Sequence, residues 1–429
     1  MMTFKTITLG CKVNSYESEA LKEQLLAAGF KYSDEEKADI YIVNTCAVTQ
    51  VAEKKDMMKI RSLAKNYPDS EIVVMGCFAQ LHPEKIKDIK QVKILTGTSN
   101  RSMITSNLIK QNNSILREEN SRKFSYEEQE ISKFSSEVRA FVKVQDGCDN
   151  FCSYCIVPLT RGKSRSRKKE NILNEISNLA KNGFKEIVIT GIDTGSFNNG
   201  PDYTFSNLIE DILNVEPKTF RVRISSLEFS EVDEKLIDIL KNNKRLVPHL
   251  HLPLQSGCER ICHLMNRKYD TDGFKKLVLR LEKEVDNFAV STDVIVGFPS
   301  ETEDDFMETY NFIKDVNFMR LHVFPYSRRP LTKAYYMKDQ VDRSIAKDRA
   351  RRLISLGEEL ANKYLDKFVG KTLNLLVEEK LEDKNGGHIY RGYTENYLDL
   401  KVFSKENLYG KLLKVVVDKN LITKYEIIS

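Results

Sequence analysis

Short apolar runs at positions 4–9, 40–43, 72–75 and 92–95 have the length of buried strands. The stretches 15–28 and 48–65 between them carry apolar residues at helical spacing. This alternation predicts a doubly wound parallel sheet with helices on both faces. Residues 112–138 then lose the pattern: Glu127, Glu128, Gln129 and Glu130 are followed by Lys133, Phe134, Ser135 and Ser136 with no sustained period. They predict a linker.

The alternation resumes at Arg139. Apolar runs at 140–144, 186–190, 220–225, 249–254, 288–296 and 319–325 predict six strand-helix units of a partial barrel, with ligand chemistry on the loops at the C-terminal strand ends. Positions 344–369 read as one long basic helix. After Gly370, alternating segments at 372–377, 392–402, 412–417 and 422–428 predict a small β-barrel. The fold class is α/β with an all-β appendage, and the boundaries fall at 1–118, 119–137 (the linker), 138–369 and 370–429.

With 41% hydrophobic and 30% charged residues the chain has a globular balance, and no apolar run approaches the ~20 residues of a membrane helix. The N-terminus has no basic, apolar and cleavable regions in succession, so a cytoplasmic location is expected, with no membrane partner. In a reducing cytosol the eight cysteines are more readily metal ligands or catalytic groups than disulfides. A net charge of +5 is too small for this length to imply nucleic acid, but Arg161, Lys163, Arg165, Arg167, Lys168 and Lys169 crowd one short stretch.

Cys148, Cys152 and Cys155 follow the first barrel strand with the spacing C-x3-C-x2-C. Three thiolates on one loop suit three corners of a [4Fe-4S] cluster and leave the fourth iron open. A zinc site usually wants a fourth ligand nearby, and packed thiols are the other alternative. Cys11, Cys46 and Cys77 are far apart in sequence, yet each follows a candidate strand, and in a doubly wound sheet those ends share one edge. One such cysteine is ordinarily a core residue; three in equivalent positions favour a second cluster site.

With Tyr154 just before its third cysteine, the central motif resembles that of the radical SAM superfamily. The resemblance implies that the open iron takes S-adenosylmethionine and that electron transfer cleaves it to a 5′-deoxyadenosyl radical. The phrases at positions 8–17, 44–49 and 76–80 resemble the N-terminal domain of the methylthiotransferases, so the resemblance covers nearly the whole chain. Lys12-Val13-Asn14, Gln145-Asp146-Gly147 and Arg161-Gly162 tilt it toward the MtaB type. That type acts on N6-threonylcarbamoyladenosine at tRNA position 37, next to the anticodon.

The family implies that Cys11, Cys46 and Cys77 hold a second [4Fe-4S] cluster whose open iron carries sulfur. One S-adenosylmethionine methylates the sulfur, and a second makes the radical that lets it join C2 of the adenine. No side chain deprotonates such a C-H at pH 7, so a radical and an oriented sulfur donor are needed. The resemblance places S-adenosylmethionine contacts at Tyr154, Thr190, Gly191, Asp193, Ser225, Ser226, Gln255, Asp293 and Ile295, near strand ends where barrel packing is the alternative. Cys258 and Cys262 are too few for a metal and read as packed thiols. Ser300 and Leu331 stand where the family commonly has glycine.

Arg161, Arg165 and Arg167 lie beside the cluster loop and are candidates for drawing an RNA backbone to it, with a solvated helix start as the alternative. The segment from Lys371 resembles a TRAM domain, a β-barrel that grips tRNA, with Lys371, Arg391 and Tyr397 as contacts. The expected partners are the tRNA anticodon stem-loop and an electron donor such as flavodoxin or ferredoxin, with no stable protein partner. Isopentenyladenosine in tRNA or a ribosomal protein are rival substrates. A non-catalytic RNA-binding iron-sulfur protein is the rival of another class.

Overall fold

A computed structural model describes residues 1–132, 138–384 and 386–428, with Lys384 described by its backbone alone; residues 133–137 of the expected linker lie outside the described residues. The N-terminal sheet is parallel throughout, in the order β2-β1-β3-β4-β5-β6. Its strands are β1 (Thr3–Thr8), β2 (Lys31–Tyr32), β3 (Ile40–Thr45), β4 (Glu71–Gly76), β5 (Val92–Leu95) and β6 (Ser114–Ile115). Every residue of β3 is buried, as a central strand covered on both faces requires. The two-residue edge strands β2 and β6 are too short to leave a periodic signal.

The barrel strands are β7 (Ala140–Lys143), β10 (Glu186–Thr190), β11 (Arg221–Ile224), β12 (His249–His251), β13 (Ala289–Val296) and β14 (Arg320–Pro325). A two-residue ribbon, β8 (Gln145–Asp146) with β9 (Arg165–Ser166), follows β7. The barrel strands form parallel triplets β11-β10-β7 and β12-β13-β14, joined by the parallel bridge Val222–Leu246. The partial barrel is therefore open between β7 and β14.

The N-terminal domain covers that opening from both sides. The helix Lys12–Ala27 buries Leu21 and Leu25 in its own domain and Tyr16 and Ala20 in the barrel core. It is buried on two faces because it belongs to two cores. Beyond Cys46, the Gln50 side chain donates to the Arg328 carbonyl at 2.7 Å, and Glu53 pairs with Arg329 just after β14. Residues of the expected linker pack between the domains rather than in solvent: Gln129 and Ile131 are buried, and the Tyr16 hydroxyl donates to the Gln129 carbonyl at 2.6 Å.

The C-terminal module is an antiparallel sheet, β17-β16-β15-β18-β19. It comprises β15 (Thr372–Lys384), β16 (Gly387–Thr394), β17 (Asp399–Ser404), β18 (Leu412–Val416) and β19 (Tyr425–Ile428). A bridge from Val402 to Ile422 curls it back on itself. The segment expected as one strand at 392–402 is broken by a turn in which Tyr397 has φ +68°. That turn docks on the N-terminal end of the barrel, where Arg223 donates to the carbonyls of Thr394 and Glu395, at 3.1 and 3.2 Å.

Ser300 and Leu331 occupy the left-handed backbone region, at φ +67° and +73°, where a side chain costs about 1 kcal/mol or more. Leu331 is also exposed, so its side chain recovers little by packing. Leu331→Gly is expected to raise stability by about 1 kcal/mol in urea unfolding; an unchanged midpoint would show that no strain is released.

Candidate active site

The loop after β8 is cinched before its first cysteine. The Cys148 amide donates to the Gly162 carbonyl at 3.1 Å, and Gly147 is required on two counts, its φ of +73° and the 1.9 Å that would separate an added Cβ from the Lys163 carbonyl oxygen. Farther along, Ser153 is held at both ends, its amide on the Met265 carbonyl at 2.9 Å and its carbonyl on the Ala334 amide at 2.8 Å. Cys148, Cys152 and Cys155 are free and partly exposed on this fixed loop.

Their surroundings were only partly legible. The Gln145 side-chain oxygen accepts from the amides of Ile192 and Asp193, at 3.1 and 2.9 Å, while its nitrogen donates to the Gly147 carbonyl at 2.7 Å. One side chain thus fixes the cluster loop against the end of β10. The Cys148 thiol donates to Asp193 at 3.4 Å. Arg267, outside the expected set, reaches Cys152 Sγ at 3.6 Å and pairs with Glu228. Burial, and then the neighbouring Cys152, push the Cys155 thiol up to about 12. Burial and Asp193 likewise raise Glu231 to about 9, so this side of the loop holds carboxyls that resist ionisation.

The second triad forms at the carboxyl edge of the N-terminal sheet, where the order changes between β1 and β3. The Asn14 side chain donates to the carbonyls of Leu9 and Thr45, at 2.8 and 3.1 Å, and so ties the loop of Cys11 to that of Cys46. Thr45 Oγ1 donates to the Met75 carbonyl at 2.6 Å and accepts the Ala79 amide at 3.2 Å, which ties the loop of Cys46 to that of Cys77. A Cβ on Gly10 would lie 3.2 Å from Cys46 Sγ, so the glycine before Cys11 permits that approach. The Cys46 thiol is pushed up to about 12 by burial, then by Cys77 and Cys11, which places all three thiols in one electrostatic neighbourhood.

Donor geometry separates a cluster from a lone ion. Tetrahedral zinc, with bonds of about 2.3 Å, draws thiolates to within about 4 Å of one another. Among the described residues, the one set of three His, Cys, Asp or Glu ligands with atoms all within 4.8 Å is His251, Asp293 and His322. Both cysteine triads are wider than that. Neither is drawn in as a lone zinc ion requires, and three thiols with an open fourth corner are the ligand set of a [4Fe-4S] cluster.

A cavity of about 250 Å³ lies where the two domains meet and reaches the first triad through Cys155. Tyr154, Cys155, Gln255, Asp293 and Ile295 line it from the barrel; Val48 and Thr49, just beyond Cys46, line it from the N-terminal domain. Four of the expected S-adenosylmethionine residues thus converge on it. Thr190, Gly191, Asp193, Ser225 and Ser226 do not line it; they lie at the ends of β10 and β11, where Asp193 touches the first triad and the Ser225 amide donates to the Ile189 carbonyl at 3.0 Å. Cys258 and Cys262 are buried apart from both triads, donating to Asp305 and to the Ser256 carbonyl at 3.3 and 3.1 Å.

The three arginines of the basic run do not face outward, whereas Lys163 and Lys168 are exposed. Arg161 and Arg167 are each 1% exposed. Arg161 pairs with Glu17 and Asp146, at 2.8 and 3.1 Å, and Arg167 with Glu175 and Glu128. Arg165 is largely buried against Asp146 at 3.1 Å. These side chains neutralise carboxylates inside the protein instead of meeting phosphate, which corrects the expectation for them. Tyr397 is turned inward too, its ring stacked 4.7 Å from His249 and 5.0 Å from Tyr393 at the barrel floor. Lys371 is exposed, and Arg391 is half-exposed and paired with Asp399.

Comparison with known proteins agrees with this division. The description "Radical SAM superfamily" matches residues 142–313, a domain type that takes a [4Fe-4S] cluster and S-adenosylmethionine, and "Uncharacterized protein family UPF0004" matches residues 3–97. The chain is 40% identical, over 98% of its length and 94% of the relative's, to threonylcarbamoyladenosine tRNA methylthiotransferase MtaB of Bacillus subtilis. It is 33% identical to the Aquifex aeolicus protein of the same name, over 96% of this chain and 98% of that one. It is 32% identical, over 97% and 83%, to tRNA-2-methylthio-N(6)-dimethylallyladenosine synthase of Staphylococcus haemolyticus. Among solved structures, the radical S-adenosylmethionine methyltransferase TsrM of Kitasatospora setae aligns with a TM-score of 0.55 at 12% identity, over 78% of this chain and 74% of that one, a likeness of fold alone. Among the described residues, no helix is long and apolar enough to cross a membrane.

Proposed function

The chain belongs to the MtaB-type radical SAM methylthiotransferases, and we propose that it attaches a methylthio group to C2 of N6-threonylcarbamoyladenosine at position 37 of tRNA. The observation that supports this reading is a cavity lined by Cys155 of one triad and by Val48 and Thr49, just beyond Cys46 of the other, since the reaction needs a radical source and a sulfur donor on one substrate atom. Cys148, Cys152 and Cys155 would hold one [4Fe-4S] cluster, and Cys11, Cys46 and Cys77 a second. When bound, the clusters and S-adenosylmethionine supply hydrogen abstraction and the methylated sulfur.

The chain's own residues do the positioning. Tyr154, Gln255, Asp293 and Ile295 shape the floor on which S-adenosylmethionine would lie. Gln145 fixes the distance between the cluster loop and the end of β10, and Arg267 sets a positive charge beside Cys152. Docking of Gln50 and Glu53 behind β14 keeps Val48 and Thr49 as a wall of the cavity and limits water entry. A flavodoxin-like or ferredoxin-like protein is the proposed electron source.

Nucleosides from a strain lacking the protein test the reading by mass spectrometry. The 2-methylthio form of threonylcarbamoyladenosine is expected to vanish while its unmethylthiolated parent accumulates. Loss of the isopentenyladenosine derivative instead, or unchanged nucleosides, would overturn it. The C-terminal module is proposed to contact the RNA through its exposed cations. Lys371→Ala is expected to weaken tRNA binding a few-fold and to lower the slope of log affinity against log salt by about one; an unchanged slope would remove Lys371 from the interface.

A further inference from the structure

Below the cavity, strand alternation turns Asp293 of β13, His322 and Arg320 of β14 and His251 of β12 toward the barrel axis. His251 Nε2 lies 3.4 Å from Asp293 Oδ1, and the rings of His251 and His322 are 5.8 Å apart. Lys12, the residue after Cys11, begins the helix that covers the open side of the barrel. Lys12 and Arg320 both act electrostatically on His322 and on His249 beneath it. Tyr397 closes the floor, with the Arg320 guanidinium 5.4 Å from its ring centre.

The other cations here are compensated. Arg139 pairs with Glu378 at 2.8 Å, and Arg223 with Glu186 at 2.8 Å. Lys12 and Arg320 make no ion pair with a carboxylate among the described residues, although Tyr397 and Glu186 act on Lys12 from farther off. Half-buried charges without a direct ion pair cost free energy that an anionic ligand returns. His251, Asp293 and His322 are close enough for a metal ion, but two unpaired cations facing the same space repel one. The site is built for an anion.

We infer that Lys12 and Arg320, with His322 beside them, form the subsite for the carboxylate of the N6-threonylcarbamoyl group and thereby select this nucleoside over one with an apolar N6 substituent. The inference rests on the reading under Proposed function, because that nucleoside brings its own carboxylate into the cavity. Asp293 links the two regions, lining the cavity above and pairing with His251 below. Lys12 also adjoins Cys11, so grasping the carboxylate fixes the base relative to the triad proposed to deliver sulfur.

The test uses the reconstituted protein and fluorescent anticodon stem-loops bearing the threonylcarbamoyl acid, its methyl ester or an isopentenyl group. Wild type is expected to bind the acid about ten-fold or more tighter than the ester. Arg320→Gln and Lys12→Met are each expected to shrink that ratio to about two-fold or less, with Arg320→Lys retaining part of it. The ratio is internal to each variant, so a general loss of RNA affinity does not imitate the effect. Equal binding of acid and ester by wild type, or an undiminished ratio in both variants, would overturn the subsite. Product analysis separates the two readings: methylthiolation of acid and ester alike removes the subsite only, whereas no methylthiolation of either loop removes the substrate assignment and the subsite with it.

Discussion

Cys46→Ala is expected to lower the iron content after anaerobic reconstitution from about eight atoms per chain to about four. Methylthio product should fall to background while reductive cleavage of S-adenosylmethionine continues. The reason is spatial: Cys46 belongs to the N-terminal sheet edge, and Val48 and Thr49 are that edge's contribution to the cavity, whereas the loop of Cys148, Cys152 and Cys155 is fixed through Gly162, Met265 and Ala334. Losing one thiol leaves the other triad's scaffold intact. Cys152→Ala is expected to do the converse, ending cleavage while leaving about four irons on the sheet edge. Product from Cys46→Ala, or loss of cleavage in it, would contradict the division of labour.

Arg161→Met is expected to destabilise the protein by about 3 to 5 kcal/mol in urea unfolding of the cluster-free form. Arg161 is buried between domains, donating to Glu17 at 2.8 and 3.2 Å, to Asn14 at 3.0 Å and to Asp146 at 3.1 Å. Its removal leaves two buried carboxylates with less positive charge, although Arg101, Lys143 and Arg165 remain. A loss below about 1 kcal/mol would mean that those three suffice.

The same network fixes the response to acid. Burial alone would raise the Glu17 and Asp146 carboxyls, but Arg101, Arg161 and Lys143 overcome it and hold both below the usual carboxylate range. A carboxyl depressed in the folded state contributes stability above its unfolded pKa, about 4 to 4.5, and loses it as pH falls toward the folded value. Stability is therefore expected to drop steeply on acidification below about pH 4.5, and Glu17→Gln to make that drop shallower.

The barrel strands were readable because each is an apolar run that ends where a loop begins, and the thiols because their rank along the chain mirrors strand ends. The basic run was misread for a reason of range. Glu17 lies 144 positions from Arg161, so local sequence shows that cation without the carboxylate that buries it, and the nearer Asp146 and Glu175 carry no mark of their pairing with Arg165 and Arg167. Tyr397 was misread similarly: an aromatic residue in a β-module suggests base stacking, while its left-handed turn tips the ring into the barrel floor. Arg267 went unnoticed because it lies outside the cysteine and strand-end phrases, although an arginine in the short turn after a helix that packs on the cluster loop was a usable signal.

The central claim, two iron sites sharing one cavity, is tested most directly by electron paramagnetic resonance of the reduced, fully reconstituted protein. Its spectrum is expected to show magnetic coupling that the summed spectra of Cys46→Ala and Cys152→Ala do not reproduce. A wild-type spectrum equal to that sum would mean that the sites are isolated from each other.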